Sequence, residues 1–210
     1  MDQQQTPNLY LASQSPRRRE LLDQIGVRYR CVSLGVPEQR LPAEAAQDYV
    51  VRLAKAKAAA GWLQVKNKSV PVLGSDTIVV CAGEVLEKPG DEQQAVNMLL
   101  RMSGSEHLVL TAVALCMGDR CQTRLSTTTV RFRAICEAEA RRYWHSGEPS
   151  DKAGGYGIQG LGAIFVESIK GSYSGVMGLP LYETSQLLGE FDVPVWQVSA
   201  INQEEESSRE

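Results

Sequence analysis

The chain has 210 residues, of which 43% are hydrophobic and 22% charged, a balance typical of a single globular domain with its own core. A formal net charge of -3 argues against non-specific nucleic-acid binding, which depends on surplus positive charge. The polar N-terminus predicts no signal peptide, and no apolar run is long enough to cross a bilayer. We therefore expect a cytoplasmic protein that contacts neither membranes nor nucleic acid.

The five cysteines include no Cys-x-x-Cys pair and no metal-finger spacing. Most of them stand in apolar, strand-like segments, which predicts reduced thiols in the core of a cytoplasmic protein. Cys116 and Cys121 flank a Gly118-Asp119 turn, so a disulfide across that turn is the alternative.

The first candidate site follows a short buried strand over residues 9–12. A polar turn leads to Ser15 as a helix N-cap and to Pro16, a residue favoured at the first helical position. The next residues are Arg17, Arg18 and Arg19, although a helix start favours negative charge. This context predicts an anion among the arginines, and the alternative is a solvated helix face.

A second strand over residues 29–33 is followed by a loop that carries Glu38 and by a predicted helix over residues 42–62. Lys55 and Lys57 lie on different faces of that helix, so one of them is a candidate to point towards a cleft. The next strand, residues 70–80, is apolar except for Asp76. A buried carboxylate is costly unless it is paired or metal-bound, which favours a functional role.

The remaining chain predicts further strands and helices, with hairpins between them. Strands are predicted over residues 84–86, 106–117, 122–133 and 163–169, and helices over residues 91–102, 137–145 and 180–189. The strand after Gly118-Asp119 alternates polar and apolar residues, and His107 is placed at a wet strand edge. Residues 146–162 form a Gly-rich segment of the kind that is often functional, and residues 170–178 form a loop. Hairpins between alternating elements predict a mixed sheet.

Two histidines in unrelated contexts argue against a histidine metal site or a Ser-His-Asp triad. The chain instead offers Gly-rich loops and two sets of charged residues that suit hydrolysis of a phosphate compound assisted by Mg²⁺ or Mn²⁺. The carboxylates are Glu38, Asp76 and Glu87, and the cations are Arg17, Arg18, Lys57 and Lys88. Taken singly, each of these residues is better explained by a surface salt bridge or a helix cap.

Several motifs, in this order, resemble the Maf proteins. They are Leu-Ala-Ser-Gln-Ser-Pro-Arg-Arg at residues 11–18, Gly-Ser-Asp-Thr at 74–77, Glu-Lys-Pro at 87–89, Asp-Lys-Ala-Gly-Gly-Tyr-Gly-Ile-Gln-Gly at 151–160 and Gly-Leu-Pro at 178–180. The resemblance implies a mixed twisted sheet flanked by helices, similar to inosine triphosphate pyrophosphatases, with two lobes around a cleft. It also implies a single catalytic domain over residues 9–195. The polar and charged ends of the chain predict a flexible segment over residues 1–8 and a disordered tail over residues 196–210.

Maf proteins are nucleoside triphosphate pyrophosphatases that use a divalent metal and are commonly dimers. The resemblance implies that Asp76 accepts the proton of the attacking water and that Glu38 and Asp76 hold the metal. The remaining residues that it assigns to substrate binding are Ser15, Arg17, Arg18, Lys57, Thr77, Lys88 and Gln159.

Arg17, Thr77 and Gln159 resemble the branch of the family that acts on dTTP and UTP, rather than the branch that acts on 7-methyl-GTP. The Gln159 amide suits the uracil or thymine edge, which has one N–H between two carbonyls. Pro37 departs from the pattern, because many members carry an acid there, and this puts a second carboxylate from the loop in doubt. A nucleotide-binding regulator of cell division without turnover is the alternative function.

Overall fold

A computed structural model describes residues 6–33 and 35–197, and its centre is a mixed seven-stranded sheet. The strands are β1 (Leu9–Leu11), β2 (Tyr29–Cys31), β3 (Val72–Cys81), β4 (Glu84–Leu86), β5 (Glu106–Met117), β6 (Arg120–Phe132) and β7 (Val166–Lys170). The strand order is β2-β1-β3-β5-β6-β7, and β4 also pairs with β3. The first three strands are parallel to one another, whereas β3, β5, β6 and β7 form antiparallel pairs.

The helices cover both faces of this sheet. They are α1 (Pro16–Gln24), α2 (Ala46–Gln64), α3 (Glu92–Met102), α4 (Glu137–Trp144), α5 (Tyr173–Met177) and α6 (Leu181–Glu190). Three short 3-10 helices follow α4, at Glu148–Asp151, Ala153–Gly155 and Leu161–Phe165. The mixed α/β architecture predicted from the sequence is therefore confirmed.

The long strand β3 has a different neighbour at each end of one edge. Its Val72 and Leu73 pair with β1, whereas Val79 to Cys81 pair with β4. Within the described part of the chain, no strand covers residues 74–78 on that edge, while β5 pairs along the whole opposite edge. This uncovered stretch contains Asp76 and opens the central strand to a ligand.

The buried side chains fall into clusters that divide the molecule at the same stretch. Leu73 packs with β1, α1 and α6, whereas Val79 packs with β4, α3 and α4. A third cluster joins α2 to β3 and β5. The molecule therefore has two lobes, joined by continuous strands and separated on one side by a cleft.

Gly74 allows α2 to approach the central strand closely. A Cβ atom at this position would lie 2.3 Å from the carbonyl oxygen of Ala54 and 2.5 Å from the backbone nitrogen of Ala58. Only glycine leaves room for this contact, because protein interiors are already close-packed. The close approach brings Lys57 of α2 within reach of Asp76, two residues along the same face of β3.

Several element boundaries differ from those that the sequence predicts. The helix α2 begins at Ala46 rather than residue 42, because Ala43 has a φ of 57° and the Glu44 carboxylate accepts a hydrogen bond from the Leu41 amide. The predicted loop 170–178 contains the short helix α5, whose first turn is capped by Ser172. Strand β7 begins only at Val166, after a 3-10 turn.

The cysteine prediction is wrong for most positions. Cys116 and Cys121 form a disulfide, with their Cα atoms 4.1 Å apart, because the β5–β6 register places them opposite each other. Cys31 and Cys136 are exposed free thiols, and only Cys81 is a buried free thiol as expected.

His107 is not at a wet edge but is 2% exposed in the core of one lobe. Its Nε2 lies 2.8 Å from the Tyr156 hydroxyl, and its ring contacts Phe132 edge to face. Burial lowers the pKa of His107 from 6.5 to about 4, so the ring is neutral at pH 7.

At both ends, the described chain is held to the turn after α1. Asn8 donates to the carbonyl of Arg28, and the amides of Trp196 and Gln197 donate to Ile25 and Gly26. Most of the predicted flexible segments, residues 1–5 and 198–210, lie outside the described residues. Among the described helices, none is long and apolar enough to cross a membrane.

Candidate active site

The uncovered stretch of β3 forms the floor of a cleft of about 680 Å³ between the two lobes. Every site residue predicted from the sequence lines this cleft. They are Ser15, Arg17, Arg18, Glu38, Lys57, Asp76, Thr77, Lys88 and Gln159. Residues from six separate segments of the chain thus meet in one place, although only the strand that carries Asp76 is central to the sheet.

Asp76, Lys57 and Glu38 form the charged centre of the cleft. The Lys57 ammonium lies 2.6 Å from Asp76 Oδ1 and 2.5 Å from Glu38 Oε1. Lys88 lies 3.7 Å from the other Glu38 oxygen and is more exposed. Of the two candidate lysines on α2, Lys57 therefore faces the cleft, whereas Lys55 is exposed on the helix.

The two carboxylates have opposite pKa shifts. Burial raises the pKa of Asp76 above its ordinary value, although the nearby charges of Lys57 and Arg18 oppose this effect. Burial also acts to raise the pKa of Glu38, but the hydrogen bond and charge of Lys57 outweigh it and lower the pKa overall. Asp76 is therefore the more basic carboxylate, as a proton acceptor requires.

Tyr49 positions the loop that carries Glu38, a role that the sequence analysis missed. Its hydroxyl lies 2.7 Å from the Glu38 carbonyl oxygen and 3.0 Å from the Glu87 carboxylate. The sequence places Tyr49 on the apolar face of α2, and a buried tyrosine hydroxyl usually has a polar partner. In the sequence, the need of a buried tyrosine hydroxyl for a polar partner was the only sign that Tyr49 would contact the Glu38 loop.

The three arginines at the start of α1 have different environments. Arg17 crosses the cleft to Asp151 at 3.2 Å, and Arg18 donates to the Gly178 carbonyl at 2.8 Å. Arg19 does not line the cleft and faces a surface groove beside Tyr29. Arg17 and Arg18 therefore line the cleft, whereas Arg19 does not, and the predicted anion between the arginines stays a prediction.

Ser15 is the N-cap residue of α1, and Pro16 follows at the first helical position, as predicted. The Ser15 side chain makes no capping hydrogen bond, and its partly exposed hydroxyl remains at the cleft. Ser13 supplies the local contacts instead, since its hydroxyl accepts from the Ser15 amide at 3.2 Å and from Arg18 at 3.1 Å.

Thr77 lies on the face of β3 opposite to Asp76, because successive side chains of a strand alternate. Its hydroxyl oxygen is 3.0 Å from that of Thr111 on β5 and 3.5 Å from Arg18. At the uncovered edge of β3 the cleft reaches both faces of the sheet. Thr77 and Asp76 therefore both line it, although their side chains point to opposite faces.

The Gly-rich segment supplies the wall opposite α1. Gln159 is exposed on this wall, and Tyr156 lies behind it with its ring in the lobe core. Asp151 accepts hydrogen bonds from Arg17 and, at 2.7 Å, from Lys152. Asp151 and Lys152 belong to one of the motifs that resemble the Maf proteins, but the sequence predicted no role for either.

The charged centre fits a divalent cation of the Mg²⁺ or Mn²⁺ type. Glu38 and Asp76 already converge on one positive group, and carboxylate oxygens are the ligands that these hard cations prefer. No group of three or more potential ligands from His, Cys, Asp and Glu occurs in the described part of the chain. Such a site would rely on substrate phosphates and water for its remaining ligands.

A mixed α/β fold whose cleft gathers cations around a buried carboxylate is suited to a phosphorylated ligand. The chain matches the family model described as Maf-like protein over residues 8–191, and it therefore belongs to the Maf family.

Similar curated proteins cover nearly the whole chain. A protein of Saccharophagus degradans named dTTP/UTP pyrophosphatase is 58% identical over 192 residues, which is 90% of this chain and 91% of that protein. Proteins with the same name from Escherichia coli strain K12 and Alkalilimnicola ehrlichii are 54% and 50% identical. These alignments cover 88% and 92% of this chain, and 93% and 97% of the respective relatives.

Proposed function

We propose that this protein hydrolyses dTTP and UTP to the nucleoside monophosphate and pyrophosphate. The observation that carries the proposal is the position of Asp76. It is a largely buried carboxylate, held by Lys57 at the uncovered stretch of the central strand, inside a cleft lined by further cations. The names of the similar proteins agree with this activity.

The phosphate chain is assigned to the part of the cleft formed by α1, α2 and the segment between β4 and α3 that carries Lys88. Arg17, Arg18, Lys57 and Lys88 line this part and would offset the negative charge of a triphosphate. Ser15 lies at the start of α1, where backbone N–H groups and the helix dipole favour an anion.

The base is assigned to the part of the cleft lined by Thr77, Gln159 and the apolar side chains of Val109, Tyr156 and Met177. The Gln159 amide has both a donor and an acceptor for the uracil or thymine edge. Cytosine presents a different donor pattern at that edge, so its binding would leave polar groups unpaired.

The reaction is assigned as attack of water on the α-phosphorus. Asp76 takes a proton from the water as the new P–O bond forms, and the bond from the α-phosphorus to the bridging oxygen breaks with release of pyrophosphate. Lys57 keeps Asp76 in place and ionised, and the arginines stabilise the charge on the departing phosphates. A divalent metal bound by Glu38 and Asp76 would polarise phosphate oxygens.

Two further assignments are part of this proposal. A cytoplasmic location is consistent with nucleotide substrates and with the free thiols of Cys31, Cys81 and Cys136, although the Cys116–Cys121 disulfide is less usual there. A homodimer is consistent with exposed apolar side chains at Ile164 and Ile169 near the edge strand β7. Sedimentation analysis of the purified protein tests the second assignment.

The test of the main proposal is pyrophosphate release from a panel of nucleoside triphosphates with Mg²⁺ or Mn²⁺. We expect turnover of dTTP and UTP, with little from ATP, GTP or CTP. Preference for 7-methyl-GTP would retain the reaction but contradict the roles of Thr77 and Gln159. Tight binding of UTP without turnover would instead support the nucleotide-binding regulator.

A further inference from the structure

The segment that presents Gln159 to the cleft is held by one partly buried carboxylate, that of Glu148 in the preceding 3-10 helix. We define the Gln159 loop as residues 157–162. It contains no strand, and its internal backbone contact joins the Gly160 amide to the Gly157 carbonyl at 3.2 Å. A loop of this kind needs tertiary contacts to fix its conformation, because each ordered residue loses backbone entropy.

Glu148 supplies those contacts at the C-terminal end of the loop. Its Oε2 accepts from the Leu161 amide at 2.8 Å, and its Oε1 accepts from the Gly162 amide at 3.0 Å. Glu148 Oε1 also accepts from the Tyr143 hydroxyl at 2.6 Å. Both carboxylate oxygens are therefore engaged by fixed donors.

The N-terminal end of the loop is joined to the same carboxylate through Tyr143. The Gly157 amide donates to the Tyr143 hydroxyl at 3.0 Å, and this hydroxyl in turn donates to Glu148. Tyr143 is 6% exposed and belongs to α4, so the anchor is part of the packed lobe. Both ends of the loop that carries Gln159 thus depend on one partly buried hydrogen-bond network.

Close packing around Glu148 also accounts for three glycines of the Gly-rich segment. A Cβ atom at Gly160 would lie 2.2 Å from Glu148 Oε2, and one at Gly162 would lie 2.6 Å from the Tyr143 hydroxyl. At Gly157 it would lie 2.9 Å from the Lys152 side chain and 3.0 Å from Glu148 Oε1. The loop backbone reaches the carboxylate only because these positions lack side chains.

The charge state of Glu148 is consistent with this role. Burial alone would raise its pKa, but hydrogen bonds from Tyr143, Leu161 and Gly162 outweigh burial and lower the pKa overall. The carboxylate is therefore ionised at neutral pH, and in this form it can accept hydrogen bonds from all three groups.

We propose that Glu148 is a positioning residue for base selection, because its carboxylate anchors both ends of the Gln159 loop and so fixes Gln159 against the nucleobase. This inference rests on the proposed function, in which Gln159 reads the uracil or thymine edge. Glu148 itself does not touch the substrate and acts through the loop.

The first test is Glu148→Gln, which replaces one acceptor oxygen with an NH₂ group that cannot accept from the loop amides. We expect KM for dTTP and UTP to rise about tenfold, and the preference for UTP over CTP in kcat/KM to fall by a similar factor. The value of kcat for UTP should change less than KM, because Asp76 and Lys57 are not altered. Glu137→Gln, an exposed change on α4, is the matched control. It should change neither KM nor the preference for UTP over CTP.

A double-mutant comparison separates positioning from general loss of structure. In a Gln159→Ala background, Glu148→Gln should not reduce the UTP preference further, because both changes remove the same recognition. An equal loss of kcat/KM for every nucleotide, with the UTP preference intact, would overturn the proposal. If Gln159→Ala alone leaves the preference intact, the base assignment under the proposed function fails instead.

Hydrogen exchange provides a readout that does not depend on turnover. The amides of Gly157, Leu161 and Gly162 should exchange at least about tenfold faster in Glu148→Gln, since their acceptor network is disrupted. Tyr143→Phe removes only the bridging hydroxyl, and it should accelerate exchange at Gly157 even if Glu148→Gln folds poorly. Unchanged exchange at these amides in both variants would exclude the anchoring role.

Discussion

The Lys57 ammonium lies 2.6 Å from the Asp76 carboxylate, and their side chains are only 12% and 10% exposed. Neither residue is adjacent to the other in sequence, and the contact exists because Gly74 lets α2 approach β3. The pair holds Asp76 at the cleft for its proposed chemistry, and removal of either partner would leave the other charge without its closest counter-ion.

Replacement of Lys57 by methionine should destabilise the protein by about 3 kcal/mol. The change leaves the buried Asp76 carboxylate without its closest cation, and uncompensated buried charges cost this order of free energy. Urea unfolding at pH 7 measures the effect. Lys55→Met, an exposed change on the same helix, is the control and should alter the free energy of unfolding by less than about 0.5 kcal/mol.

Asp76→Asn should reduce kcat for dTTP and UTP by about 10²–10⁴-fold, the usual contribution of a general base. Binding of a non-hydrolysable UTP analogue should persist, because Arg17, Arg18 and Lys88 remain. Pyrophosphate release and calorimetric titration measure the two quantities. Asp119→Asn, at the exposed tip of the β5–β6 hairpin, is the control. If Asp76→Asn kept kcat within threefold, Asp76 would not be the proton acceptor.

Gly74→Ala should destabilise the protein by about 1–3 kcal/mol and also lower kcat, because the new methyl group forces α2 and Lys57 away from Asp76. Thermal unfolding and pyrophosphate release measure the two effects. Gly189→Ala is the matched control, since its Cβ would meet no atom within 4 Å and it lies in α6. That change should be neutral or stabilising, as alanine is the better helix former. Equal stability of the two variants would contradict the close contact at Gly74.

His107 should make stability depend on pH in a mildly acidic range. Its pKa is about 4 in the folded protein and 6.5 in an unfolded chain, so between these values the unfolded state binds more protons. This contribution to stability is complete above pH 6.5 and decreases as pH falls towards 4, by about 3 kcal/mol in total.

The variant His107→Gln tests this pH dependence, because glutamine does not titrate. Urea unfolding between pH 4 and 7 should show a shallower decrease in stability for this variant than for the unaltered protein. The exposed His145, replaced by glutamine, is the control and should leave the slope unchanged. A slope that is identical in the unaltered protein and His107→Gln would refute the assignment.

Removal of divalent cations by EDTA should abolish pyrophosphate release, and Mg²⁺ or Mn²⁺ should restore it. Glu38→Gln should raise the metal concentration needed for half-maximal activity by about tenfold or more, because one of two converging carboxylates is lost. The exposed Glu20→Gln variant on α1 is the control. Full activity in EDTA would exclude a metal-dependent reaction.

The amino-acid sequence by itself determined most of the strands and helices and most of the candidate site. Apolar alternation and turn residues gave the strands around Gly118, and a single acid within an apolar run identified Asp76. These signals are local, since they depend on residues a few positions apart. The ordered motifs then indicated the family, and every residue they pointed to lines one cleft.

Only the tertiary structure decided which partner each of these side chains meets. In the folded protein Arg17 contacts Asp151, whereas Arg19 lies outside the cleft. His107 is buried beside Tyr156, and Cys116 forms a disulfide with Cys121. The fold also joins the Gln159 loop to Glu148. Such contacts depend on strand register and on how closely helices pack, and both arise from the shape of the whole core rather than from local sequence.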